Sequence, residues 1–129
     1  MSPTERTKKY LKEKGFVHGV VEKWIDYHKP RWAKGPPGIR QDFLNIIDLI
    51  YCDHSRGVVG AQICAGSGFS VHLKKLTVDE QENTAAWLKT PGAFLEIWSW
   101  RKLLEKRGGK RRVWVPRIVE ITLDMVKEG

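Results

Sequence analysis

A single acidic residue in an otherwise oily run does most to limit what this chain can become. Residues 46–50 read Ile46-Ile47-Asp48-Leu49-Ile50, a β-branched stretch suited to the inside of a sheet. A carboxylate placed there is strongly disfavoured unless it is paired, hydrogen-bonded or bound to a metal. Strand alternation puts Asp48 on one face with Ile46 and Ile50, and Ile47, Leu49 and Tyr51 on the other. The next β-rich run ends Gly60-Ala61-Gln62-Ile63-Cys64, with Gln62 and Cys64 sharing a face. A hairpin turning at Asp53-His54-Ser55-Arg56-Gly57 can set Asp48 and Gln62 side by side. Two oxygen-bearing side chains on adjacent strands suit a hard divalent cation, which takes one or two carboxylates, keeps waters and gains oxygens from phosphates. The plainer reading is a buried carboxylate satisfied by a turn or an arginine.

The surroundings of that hairpin suggest one mixed α/β domain spanning residues 1–129, with a mixed central sheet flanked by helices. Residues 4–14 read as a short helix stopped by Gly15, and residues 16–25 as a strand. Residues 27–39 contain Pro30, Pro36 and Pro37 and read as a basic loop. Residues 44–52 and 58–64 are the two apolar strands. Residues 70–89 read as helix, re-capped by Thr77 and Glu80 as a capping box. Residues 93–100 form a fourth strand. Residues 101–112 read as a basic connection, and residues 113–123 as an edge strand or strand pair interrupted by Pro116.

Charge narrows the partner. The net charge is +8 with an isoelectric point near 9.7, which favours a polyanion, nucleic acid first among them. Arg101, Lys102, Lys106, Arg107, Lys110, Arg111 and Arg112 form one basic cluster, and the loop from Lys29 to Arg40 a second, with Trp32 available for stacking. Both also fit a plain solvated surface. Trp24, Trp87 and Trp98 are expected in the core, whereas Trp100 and Trp114, beside arginines, are candidates for a stacking surface. No run reaches the length of a membrane span, and the charged N-terminus lacks the pattern of a secretory signal, so a cytoplasmic location is expected. Cys52 and Cys64 are expected to be reduced and buried. The four histidines lack zinc-ligand spacing, contiguous Asp53-His54-Ser55 cannot form a hydrolytic relay, and Ala65-Gly66-Ser67-Gly68 lacks the lysine of a P-loop.

Asp48, a short hairpin and Gln62-Ile63-Cys64 resemble the signature of the PD-(D/E)XK nucleases, in which an Asp is followed on the next strand by (D/E)xK. A closer resemblance runs through Val21-Glu22-Lys23-Trp24, Arg40-Gln41-Asp42-Phe43-Leu44-Asn45-Ile46-Ile47-Asp48, Gly60-Ala61-Gln62-Ile63-Cys64, Trp87-Leu88 and Glu96-Ile97-Trp98-Ser99-Trp100-Arg101-Lys102. It is to small phage and bacterial relatives described as Holliday-junction resolvase-like or VRR-NUC-like. The resemblance implies a restriction-endonuclease-like core (α-β-β-β-α-β) and a Mg2+- or Mn2+-dependent DNA endonuclease acting on branched DNA, as a homodimer. It makes Asp48 the central metal ligand, sets Gln62 where the second acid stands, and offers Glu22 or Asp42 as a further carboxylate. Two departures stand out: Gln62 is neutral, and Cys64 occupies the lysine position. Lys75, in preference to Lys74, is the candidate replacement for that lysine. The same departures keep a second reading open, a catalytically inactive nucleic-acid-binding module. A third is a structural or protein-interaction domain.

Overall fold

The computed structural model describes residues 1–126. Its first element, α1 (Pro3–Glu13), starts where local chemistry puts it: Ser2 accepts the Glu5 N–H at 3.1 Å, and Pro3 occupies the first turn. Thr7 and Leu11, one turn apart, are its buried residues. The Thr7 hydroxyl accepts the Trp100 indole N–H at 2.8 Å, and Tyr10 meets the edges of Trp98 and Trp100 at 5.2 and 6.3 Å. One helix face is thereby fixed to the sheet.

The sheet contains β1 (His18–Val20), β4 (Leu49–Asp53), β5 (Gly57–Ala65), β6 (Ala93–Leu104) and β7 (Arg112–Ile121), in the order β1-β4-β5-β6-β7. All neighbours are antiparallel except β5 and β6, which run parallel. That parallel pair requires a crossover, supplied by α2 (Phe69–Lys74), a π-helical turn at Lys75–Asp79, and α3 (Gln81–Lys89). A separate ribbon, β2 (Lys23–Asp26) with β3 (Gly38–Gln41), is inserted between β1 and β4. α1 covers one face of the sheet, over Leu49, Tyr51, Val59, Ala61, Ile63, Trp98 and Trp100. The crossover covers the other, where Ile46, Ile47, Cys64, Leu76, Leu95, Ile97 and Ile121 pack together. The result is a mixed α/β architecture with a five-stranded mixed central sheet. Among the described residues no helix is long and apolar enough to cross a membrane.

Several local expectations are corrected. The strand expected over residues 16–25 is broken after Val20, because Val21 and Glu22 both give their N–H groups to the Asp48 carbonyl, at 3.0 and 3.3 Å. The strand expected from residue 44 starts only at Leu49, and Ile47 packs with Ile46 rather than with Leu49. The basic loop ends as β3, and the basic connection expected over residues 101–112 is shortened to residues 105–111, because β6 runs on to Leu104 and β7 starts at Arg112. Thr77 does not cap: its hydroxyl donates back to the Leu73 carbonyl at 2.8 Å inside the π-helical turn. Trp24 lies on the small ribbon and is exposed, Trp100 is buried under α1, and Cys52 is exposed. Pro116 does sit on an edge strand, opposite Trp100, where a missing N–H costs no ladder bond.

A second buried acid, Glu96, lies on the α1 face of β6 and is fully accounted for. Its carboxylate accepts the Tyr51 hydroxyl at 2.6 Å, the Trp98 indole N–H at 3.1 Å and the Arg56 guanidinium at 3.2 Å. Arg56, in the β4–β5 turn, also binds Asp53 at 2.8 Å, Glu120 at 3.4 Å and the Tyr51 oxygen at 3.0 Å. Burial, then Glu96, raises the Tyr51 phenol above its ordinary range. Hydrogen bonds from Ser55 and Arg56 hold Asp53 below the usual carboxylate range.

Candidate metal centre

Asp48 stands at the junction of three strands. Its N–H donates to the Ala61 carbonyl at 2.9 Å, while its own carbonyl receives Val21 and Glu22 as described. Because β4 begins only at Leu49, the β4–β5 pairing stops at Leu49–Ala61. The N–H of Ile63 instead donates to Asp48 Oδ2 at 2.8 Å. Gln62, paired across β5 with Ile97 of β6, turns its amide to the same oxygen, with Nε2 at 2.8 Å.

Asp42 reaches the same place by a different route. The chain folds back on itself at Phe43–Ile46, where the Ile46 N–H donates to the Phe43 carbonyl at 3.1 Å. The two central residues, Leu44 and Asn45, are left-handed, with φ of 54° and 61°. Such a conformation is easy for Asn and strained for Leu. Asn83 of α3 secures it by donating to the Leu44 carbonyl at 2.9 Å. On the β5 side, Gly60 leaves room for the same fold-back, since a Cβ there would lie 2.6 Å from the Ile47 side chain. Asp42 Oδ2 then accepts Gln62 Nε2 at 3.2 Å and Lys75 Nζ at 2.8 Å. Glu22, in the break between β1 and β2, completes the group and faces Arg40 at 3.8 Å. One carboxylate oxygen from each of Glu22, Asp42 and Asp48 lies within 4.8 Å of the others.

The electrostatics follow from this crowding. Burial, reinforced by neighbouring Asp42, pushes the Asp48 carboxyl up to about 8. Asp42 is also partly desolvated, but hydrogen bonds from Asp48, Lys75 and Gln62 outweigh that and hold it below its ordinary value. At neutral pH the pair therefore shares one proton. His72 faces the same cleft, and burial, then the charge of Lys75, lowers the pKa of its imidazole. The cleft measures about 640 Å³ and runs from Asp48, Asp42 and Glu22 to the first turns of α1, where Ser2 and Lys8 line it.

The donors suit a hard cation. All are oxygens or can become so, and two carboxylates that share a proton will exchange it for a metal. Gln62 carries the clearest sign. Its side chain is 1% exposed, its Nε2 serves both aspartates, and its Oε1 has no partner. Turning the amide over would present Oε1 to the carboxylates, where a bound cation or the proton the pair shares would meet it.

All five residues expected at the site, Glu22, Asp42, Asp48, Gln62 and Lys75, meet at one end of the sheet. Lys75 points in because it begins the π-helical turn, and Lys74 is exposed. Cys64 is buried two residues beyond Gln62, its thiol raised chiefly by burial, and it contributes no charge. Of the basic residues, Arg40 lines the cleft and residues 101–112 lie outside it. Ser2, Lys8 and His72 also line the cleft, and nothing local in sequence links α1 or α2 to Asp48. The chain matches no protein-family model, no curated protein and no solved structure.

Proposed function

We propose that this protein is a metal-dependent DNA endonuclease, with the three-carboxylate cluster and Lys75 as its hydrolytic centre. The observation that carries the reading is the meeting of Glu22, Asp42 and Asp48 within 4.8 Å in an open cleft, with Lys75 2.8 Å from Asp42. Asp48, Asp42 and Glu22, joined by Gln62 through its oxygen, would hold Mg2+ or Mn2+. When bound, that ion supplies polarisation of the scissile phosphate and a lowered pKa for attacking water. Lys75 supplies positive charge beside the pentavalent phosphorus, the role left empty by Cys64. Arg40 and Lys8 line the same cleft and offer phosphate-binding charge. The finer fold assignment, a restriction-endonuclease-like core, draws support from β1, β4 and β5 meandering antiparallel before a helical crossover to parallel β6, with β2–β3 as an insertion. Branched DNA as substrate and a homodimeric state belong to the same proposal through the family resemblance.

The test is incubation of branched and linear DNA with the protein, with and without Mn2+. Cleavage that requires the ion and disappears in Asp48→Asn supports the reading. A second reading, a binding module without catalysis, is favoured by one observation: Lys75 is engaged by Asp42. It predicts salt-sensitive DNA binding without cleavage.

A further inference from the structure

The protein's charge is concentrated in one element outside the cleft. Seven of the 23 Lys and Arg residues and one of the 15 Asp and Glu residues fall within residues 101–112, so this stretch carries +6 of the net +8. All twelve of its residues are exposed.

The strand ladder explains why these residues do not collapse onto the domain. β5 ends at Ala65, opposite Trp100, while β6 continues to Leu104 paired only with β7, from Arg101–Val115 to Leu104–Arg112. Glu105 adds a last rung by donating its N–H to the Arg111 carbonyl at 2.9 Å. The result is a two-stranded ribbon with a basic tip. Its base is clamped on both faces: the Arg6 guanidinium of α1 lies 4.0 Å over Trp114, and Arg117 of β7 lies 4.0 Å over Phe69 of α2.

Its direction is fixed by the parallel register. Gln62 pairs with Ile97, and β5 and β6 finish at the end of the sheet where β4 begins with Asp48 nearby. The ribbon therefore projects past the cleft end. Leu104 lies seven residues beyond Ile97, roughly 23 Å at about 3.3 Å per strand residue. That reach corresponds to about seven base pairs at about 3.4 Å each. The major groove of B-DNA, about 12 Å wide, admits a two-stranded ribbon.

We infer that the β6–β7 ribbon lies in the major groove of duplex DNA, gripping the backbone about seven base pairs to one side of the phosphodiester that enters the cleft. The inference rests on the proposed nuclease reading for that phosphodiester, and it names double-stranded DNA as the bound form. The tip offers Lys106, Arg107, Lys110 and Arg111, whose charges grip phosphates and set the salt dependence of binding, while a guanidinium in the groove can also reach a guanine edge.

The experiment compares the wild type with a variant carrying Lys106→Ala, Arg107→Ala, Lys110→Ala and Arg111→Ala, positions outside both cores. Binding to a labelled duplex of about 30 base pairs is followed by fluorescence anisotropy in EDTA over a salt series, with thermal melting to verify the fold. The variant should lose about three and a half units of the log–log salt slope and at least about tenfold in low-salt affinity. A charge-keeping variant, Lys106→Arg with Lys110→Arg, should bind as the wild type does. An unchanged slope in the alanine variant, or equal wild-type affinity for a single strand of the same length, would overturn the inference. Ribbon-dependent duplex binding without Mn2+-dependent cleavage would keep the ribbon and remove the nuclease reading. Cleavage with a ribbon-independent slope would do the reverse.

Discussion

Two carboxylates are buried in this sheet to nearly the same depth, Glu96 at 5% exposure and Asp48 at 6%, and their surroundings differ in kind. Glu96 has its counter-charge built in: Arg56 binds it while Tyr51 and Trp98 complete its hydrogen bonds. Asp48 is met by a backbone N–H and a neutral amide, with a second carboxylate alongside and Lys75 paired to that second acid. The first arrangement closes a structural network. The second retains a proton that a divalent cation can displace, and it faces an open cleft. Depth of burial alone does not distinguish the two acids; their partners do.

That contrast can be broken most directly at Asp48. Asp48→Asn should lower Mn2+-dependent cleavage by about 10³-fold, as expected when several kcal/mol of metal-derived stabilisation is lost. Because burial and Asp42 favour the protonated form of Asp48, the variant should melt no lower than the wild type at pH 7; a large drop in melting temperature would make Asp48 structural. The reciprocal case is Arg56→Ala, which leaves Glu96 buried without its cation. It should cost about 3 kcal/mol of stability, read by urea denaturation, with cleavage per folded molecule unchanged. Next in size, Lys75→Met should slow cleavage by about 10²-fold with little change in melting, since the lysine is partly solvated. Equal rates would assign the lysine to holding Asp42 only.

A smaller effect concerns pH. The folded protein raises Asp48 from 3.8 to about 8, so the folded state binds more protons than the unfolded chain between those values. Metal-free stability from this group is thus greatest at low pH and is lost as pH rises through about 8. Asp48→Asn should flatten that decline. Mn2+ affinity, measured by calorimetry, should rise by up to about tenfold per pH unit below 8 and level off above it. The smallest change expected is from Gln62→Glu, which should tighten Mn2+ by roughly threefold to tenfold through its added charge, while lowering metal-free stability. Weaker binding in that variant would count against an oxygen of residue 62 facing the ion.

The sequence exposes Asp48 and Gln62 because each interrupts an apolar run, where polarity demands a reason. Their cross-strand placement also follows from alternation and a short turn. Lys75 is suggested only by the family resemblance, and its approach to Asp42 depends on a π-helical turn that no local spacing announces. Asp42 enters the site through a left-handed fold-back at Leu44, a residue whose type argues against such a conformation. The hidden length of β6 has a similar cause: Arg101 to Leu104 look like a solvated connection by composition, and they become strand because β7, met later in the chain, pairs with them. Trp24 misleads for the complementary reason, since its strand joins a small ribbon with no second layer over it.

The left-handed turn at Leu44 also bears on heat resistance. Leu44 is 41% exposed and belongs to neither buried cluster, whereas a leucine held at φ of 54° costs roughly 1–2 kcal/mol in backbone strain. Asparagine is at ease in that geometry. Position 44 is therefore a place where the protein can be hardened, by about 4 °C or so in melting temperature, without touching either core.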